Sequence, residues 1–381
     1  MNDNKLYTNP DLTEDSIYDK LHKYIISRYE IAFNTISLEH LIKFNKSNKW
    51  NILNANSLLI ELTKKNSKIK KNQLETYLGS NYIKEINPFK DYFQGLDKWD
   101  KIDHIKNLAS YLDTDNNELF EYHFKKWLVR TVKCATNDNY FNKNCLVLAQ
   151  EEENSGKTTF CRFLCPPKLK KYIAENIGPD KDGQTQLCKN FIINLDEIDK
   201  IDKRSMNAYK SYFSKTHINI RLPYAKNFSQ LPRTTSFLGS TNLLGFLKDK
   251  TGNVRWLVFE LLKINFDYSN DIDIDKVWMQ AYHLAYSSNY NSALTREDVI
   301  ENEKRNEKYK SFSFEEDLIN QLFEKSNNKD DFMTATQITN IIKKDNQYVS
   351  HIMIGKELVR LGFKRFNSPK TGNKGYMIKI K

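Results

Sequence analysis

The chain has 381 residues, 39% hydrophobic and 13% aromatic, with 59 Lys and Arg against 48 Asp and Glu for a formal charge of +11. That apolar and aromatic content excludes a disordered chain, and no apolar run approaches the roughly 18 residues of a membrane span. Five irregularly spaced cysteines, Cys134, Cys145, Cys161, Cys165 and Cys188, have no flanking histidine pairs; they exclude a disulfide framework and a zinc site.

The polar start, residues 1–15, does not read as a signal peptide and is expected to be a mobile tail. Residues 16–110 are assigned to an N-terminal domain of mixed helix and strand, mainly helical, with two short helices around a basic turn in 56–78. Pro88 opens a further helix. In 117–136, Leu119, Phe120, His123, Phe124, Trp127, Leu128 and Thr131 share one helical face. From 145 onward the pattern changes to short apolar runs, "CLVLA" (145–149), "FIINL" (191–195) and "SFLGS" (236–240), each ending at a polar cluster. Such alternation predicts a parallel sheet with its site at the strand C-termini, in a domain spanning 111–295. Residues 276–288 predict one more helix. The charged stretch 296–310 reads as an exposed helix or linker. In 311–381, Thr334 and Gln337 form a capping box, Ser350 caps a second helix that stops at Gly362, and a Pro/Gly turn joins two final strands. Helix, helix, hairpin is the order of a winged helix.

The loop "QEEENSGKTTF" (150–160) follows the first apolar run and opens a helix, the context a phosphate-binding loop requires. Backbone N–H groups of Asn154, Ser155, Gly156 and Thr159 would cradle phosphates, Lys157 would bridge the terminal ones, and the Thr158 hydroxyl would hold Mg²⁺. Glu151 stands where such loops open with glycine. Asn154 tolerates the left-handed conformation that a second glycine often supplies. Glu151, Glu152 and Glu153 would repel phosphates if turned inward, so they are expected to face out. "FIINLDEID" then supplies Asp196 for the metal and Glu197 to polarise an attacking water, and Asn242 ends the third run in "STN". Together these residues point to ATP binding with Mg²⁺.

Arg255, 13 residues after Asn242, is the candidate arginine finger from a neighbouring subunit, with Arg233 as the alternative. Residues 203–233 hold seven Lys and Arg and no acid, interleaved with Tyr209, Tyr212, Phe213, Tyr224 and Phe228. That pattern suits a single-stranded nucleic acid backbone and stacked bases. Arg221, Tyr224 and Lys226 lie on an expected hairpin whose tip could reach a central pore. In the tail, residues 351–381 carry eight Lys and Arg against Glu357 alone; Lys356, Arg360, Lys370 and Lys374 are the expected contacts to duplex DNA.

At these motifs the chain resembles the virulence-associated protein E family, whose ATPase is similar to superfamily 3 helicases. The family's loop, acidic strand end, R-x-PY element, TTN sensor and TGNRR turn appear as "EEENSGKTT", "LDEID", "RLPYAK", "STN" and "TGNVR". Glu151, Glu153, Asn154 and Val254 depart from the pattern. The resemblance covers about 50–290, and the tail resembles the family's winged-helix appendage. It implies an α/β fold: a P-loop AAA+ ATPase core with a mainly helical N-terminal domain and a C-terminal winged helix. It also implies an ATP-driven DNA helicase of a phage or other mobile element, a hexameric ring in the bacterial cytoplasm with no membrane partner. A separate primase is a further expected partner. A non-unwinding origin-binding initiator or helicase loader is the alternative. A winged-helix DNA-binding regulator with a vestigial loop is a third reading, disfavoured by Asp196, Glu197 and Asn242.

Overall fold

A computed structural model describes residues 15–65, 68–221, 227–247, 253–310, 314–343, 349–367 and 372–381. The chain divides into two compact units: residues up to 244 with 252–306, and residues 307–381 with 245–251.

The first unit begins with a small α+β module. Helix α1 (Ile17–Arg28) is capped by Ser16 and runs into β1 (Tyr29–Asn34), which turns back as β2 (Glu39–Phe44). Strand β3 (Asn51–Ile52), helices α2 (Ala55–Lys64) and α3 (Lys71–Leu78), and strand β4 (Lys84–Ile86) complete it. The sheet order is β3-β2-β1-β4, antiparallel except for β1 with β4. Leu21, Ile25, Ile31, Leu58, Leu62, Leu74 and Leu78 form its core. Helix outweighs strand in this α+β module, with helices of 12, 10 and 8 residues against strands of 6, 6, 2 and 3. Strands β3 and β4 are too short to leave a period-2 signal.

The module also ends earlier than expected. Helices α4 (Pro88–Gln94) and α5 (His104–Ala109) contribute Phe89, Phe93, Ile105 and Leu108 to the large core of the following domain. The change of core falls near residue 87, not 110.

The larger domain continues with β5 (Leu112–Thr114), α6 (Asn117–Thr136), β6 (Cys145–Ala149), α7 (Lys157–Phe163), β7 (Ile173–Glu175), α8 (Lys181–Lys189) and β8 (Ile192–Leu195). Next come α9 (Lys203–Ser214), the antiparallel pair β9 (His217–Arg221) and β10 (Phe228–Pro232), and strands β11 (Ser236–Thr241) and β12 (Trp256–Ile264). It closes with α10 (Tyr268–Asp271), α11 (Ile274–Tyr286) and α12 (Arg296–Asn306).

Six strands make one sheet in the order β5-β12-β6-β11-β8-β7, parallel except for the edge strand β5. Every residue of β6, β8 and β11 is buried, as for strands covered on both faces. Trp127 and Leu128 of α6, and Val277 and Trp278 of α11, join the same core. The stretch 296–310, expected as an exposed helix or linker, is largely the helix α12, and one side of it is buried. The buried side-chain amides of Asn302 and Asn306 donate to the Trp256 carbonyl at 3.0 and 2.9 Å, and Lys126 pairs with Asp298 at 2.8 Å.

The second unit holds α13 (Phe314–Leu322), β13 (Phe323–Lys325), β14 (Phe332–Met333), α14 (Ala335–Lys343), α15 (His351–Arg360), β15 (Arg365–Asn367) and β16 (Lys374–Ile380). Strand β16 pairs antiparallel with β13, β14 and β15. The Thr334–Gln337 capping box forms, and Gly362 takes φ +76° just past α15. Ile319, Ile338, Ile342, Ile354, Leu358 and Ile378 build the core.

Candidate nucleotide site

In a parallel sheet the loops leaving the C-terminal strand ends lie along one edge, and that edge collects the candidate residues. The 150–156 loop leaves β6, Asp196 and Glu197 follow β8, and Asn242 follows β11. Strand β11 lies between β6 and β8, yet Thr158 and Asp196 meet. The Thr158 hydroxyl donates to Asp196 Oδ1 at 2.7 Å, and the Ser240 hydroxyl at the end of β11 donates to the same oxygen at 2.5 Å.

Loop geometry explains the departures from glycine. Asn154 takes φ +59°, the left-handed conformation its side chain tolerates, and Gly156 takes φ +87°. Alternating left- and right-handed residues of this kind turn successive N–H groups toward one concave side. Glu151, Glu152 and Glu153 are exposed, as is Asn154; Ser155 and Gly156 are half-buried, and Thr159 is exposed on the first turn of α7. The buried Lys157 ammonium donates to the carbonyls of Gln150 (3.1 Å) and Glu152 (2.9 Å) and to the Ser155 hydroxyl (2.8 Å). Burial lowers its pKa, opposed by the negative charges of Glu152, Asp196 and Asp199.

Glu197 also has a left-handed backbone, φ +52°, and its carboxylate pairs with Lys200 at 2.5 Å. Non-glycine residues held there store strain, a common feature of reactive positions. Asp199 accepts from the Thr241 hydroxyl (2.9 Å) and from the Asn242 N–H (3.2 Å), fixing where the third strand ends. Sequence reasoning passed over Ser240, Thr241, Asp199 and Lys200 as participants. All four lie inside or beside the quoted "STN" and "LDEID" motifs, but only the strand order shows which pairs face each other.

The two arginines separate clearly. Arg255 sits immediately before β12, where Trp256 pairs with Cys145, the first residue of β6. It is thus at the opposite end of the β6–β12 pair from the loop after Ala149. Its Nε and Nη2 reach the Ser214 hydroxyl at 3.2 and 3.0 Å. Arg233 is fully buried and donates to the carbonyls of Thr235, Tyr212, Phe213 and Asn142 at 2.9, 2.9, 2.9 and 2.6 Å. A guanidinium so committed cannot extend to a neighbouring subunit, and its place as an alternative finger is withdrawn.

Of the expected DNA contacts, Arg221 is exposed at the end of β9, its guanidinium 5.3 Å from the Phe228 ring centroid. Tyr224, Lys226 and Lys370 lie outside the described residues. Tyr209, Tyr212 and Phe213 are buried on α9, so these aromatics serve the core rather than a base-stacking surface; Phe228 is exposed. In the second unit Lys356 and Lys374 are exposed, whereas Arg360 pairs with Glu316 and with Glu357. All five cysteines are buried and free. Among the described residues no three His, Cys, Asp or Glu cluster to hold a metal, and no helix is long and apolar enough to cross a membrane.

Comparison with known proteins adds a family and a fold. Residues 93–311, more than half of the chain, match the virulence-associated protein E-like domain. The apo structure of the NrS-1 C-terminal region superposes with a TM-score of 0.54 at 13% identity, covering 96% of this chain and 100% of that one. An A-form apo structure of that region gives 0.49, also at 13% identity, over 95% and 98%. At such identity the likeness is one of fold. A comparison with functionally curated proteins finds no match.

Proposed function

The chain belongs to the virulence-associated protein E-like domain family, and on that premise we propose that it is a P-loop ATPase of the superfamily 3-like AAA+ kind. Its task would be ATP-driven DNA unwinding in the replication of a phage or other mobile element. One observation carries the reading. The Thr158 hydroxyl and the Asp196 carboxylate meet at 2.7 Å across an intervening strand, beside a buried lysine on a left-handed loop.

The residues fit ATP with Mg²⁺. Lys157 already spans the concave side of its loop, and its contacts there are exchangeable carbonyls and a hydroxyl. A single carboxylate, Asp196, suits a cation that keeps most of its water shell. Mg²⁺ held by Thr158 and Asp196 would neutralise charge developing on the transferred phosphoryl group. Lys157 would bind the terminal phosphates, and Asn242 would orient the last one. Glu197, once free of Lys200, would accept a hydrogen bond from the attacking water and hold it in line. Arg255 is too far along the sheet to serve its own loop, which favours action in trans and therefore a ring, with a hexamer as the expected size. The β9–β10 hairpin would touch single-stranded DNA in the pore. The second unit, read as a winged helix, would hold duplex through Lys356 and Lys374.

A strand-displacement assay on forked DNA with ATP tests the reading. Unwinding that is lost in Lys157→Ala supports it. ATP turnover without strand displacement would favour the initiator or loader.

A further inference from the structure

The phosphate site accounts for only part of a nucleotide, and the residues lining its other side have no assigned role. Asp196 and Asn242 follow β8 and β11, both on one side of β6 in the sheet order. A triphosphate reaching from the loop toward them leaves its nucleoside on the other side of β6, where β12 ends. Phe266 stands there, two residues past β12, with 54% of its surface exposed.

The ring is close to the loop. A Cβ built on Gly156 would lie 2.4 Å from Phe266 Cε1 and 2.8 Å from Cζ. One edge of the ring therefore rests on the Gly156 backbone while much of the ring stays open to solvent. The backbone carrying it is pinned. Asn265 N–H donates to the Tyr111 carbonyl (2.8 Å), Asp267 N–H to Asn265 Oδ1 (3.0 Å), and Ser269 N–H and Oγ to the Phe266 carbonyl (3.2 and 3.0 Å). The neighbouring Tyr268 is buried between Phe160 and Phe163 of α7, with ring centroids 5.3 and 4.9 Å away, both edge-on. Because α7 is the helix the phosphate loop opens, Phe266 and Lys157 are held in one rigid frame. An open ring on a pinned turn loses little freedom when a flat partner covers it, and aromatic stacking is tolerant of which base it meets.

We propose that Phe266 is the stacking platform for the nucleobase of the bound nucleoside triphosphate. This inference rests on the phosphate-site reading above. Stacking on one aromatic ring supports an effect of roughly tenfold in affinity.

The test uses the full-length chain as wild type, Phe266→Ala, Phe266→Trp and Lys157→Ala. Each is titrated with Mg-ATP and with inorganic tripolyphosphate, in competition with a fluorescent ATP analogue. Phe266→Ala should weaken ATP roughly tenfold and leave tripolyphosphate unchanged. Phe266→Trp should restore ATP affinity, and its added indole emission should be quenched by ATP and not by tripolyphosphate. ATP affinity unchanged in Phe266→Ala, or equal losses for both ligands, would overturn the platform alone, because Lys157→Ala would still mark the phosphate site. No ATP binding by the wild type would overturn both.

Discussion

Replacing Arg233 with alanine separates a structural arginine from a catalytic one. Its guanidinium is fully buried and serves four carbonyls, from the end of α9, the approach to β11 and the segment before β6. Burial lowers its pKa, the expected cost of a desolvated charge. Each orphaned buried carbonyl costs about 1–3 kcal/mol, but removing the charge also recovers its desolvation cost. A net loss of about 3–5 kcal/mol is expected, as when buried ionic networks are broken. In a unit this large that lowers Tm by about 6–10 °C, at roughly 2 °C per kcal/mol. Arg255→Ala, which among the described residues forfeits a contact to the Ser214 hydroxyl, should shift Tm by less than about 2 °C. Calorimetry on both variants measures this, with ATP turnover of each mixed with Lys157→Ala. An Arg233→Ala variant that melts like wild type, loses turnover and regains it in the mixture would make Arg233 the finger and not a structural arginine.

Other consequences are open to measurement. His123 has both ring nitrogens buried without a hydrogen bond among the described residues, and burial lowers its pKa to about 4. The neutral form is favoured on folding, so its stability contribution is present above about pH 6.5 and lost as pH falls toward 4, about 1.4 kcal/mol per unit. In urea unfolding at pH 7 and pH 4.5, His123→Phe should be less acid-sensitive than wild type by roughly 2–3 kcal/mol; identical pH dependence would contradict this. In the second unit, Lys356→Ala and Lys374→Ala should each flatten the salt dependence of duplex binding by about one unit of log–log slope, with Tm unchanged. Arg360→Ala should instead lower the stability of that unit, since it breaks the pairing with Glu316 and Glu357; an unchanged melting profile with weaker duplex binding would return Arg360 to the DNA surface.

Much of the site was legible because it depends on local pattern. Apolar runs ending at polar clusters mark strand C-termini, and the structure puts Lys157, Asp196 and Asn242 at those ends. Asn154 was readable as a glycine substitute because left-handed tolerance is a property of the residue itself. What escaped depends on contacts distant in sequence. That β11 separates β6 from β8, and so makes Ser240 the neighbour of Asp196, follows from strand order alone. Arg233 read as an alternative finger because three of the four carbonyls it serves lie 20 to 91 residues away in sequence. Tyr209, Tyr212 and Phe213 looked like base-stacking aromatics until α9 turned them inward. The module boundary was misplaced because α4 and α5 are amphipathic whichever core they join. Phe266 carried no motif; its meaning comes from a close approach to Gly156, 110 residues earlier.

The most direct test of the central claim is single-site ATP turnover by wild type, Lys157→Ala and Glu197→Gln, alongside equilibrium binding of ATP. Lys157→Ala should lose both binding and turnover, because the Lys157 ammonium is the charge that the loop's own carbonyls and the Ser155 hydroxyl hold within it. Glu197→Gln should bind ATP as wild type does and lose roughly 100-fold or more in turnover, since only the water-polarising charge is removed. Glu197→Gln turning over at the wild-type rate, or Lys157→Ala binding ATP normally, would contradict the assignment of this strand edge as an ATPase site.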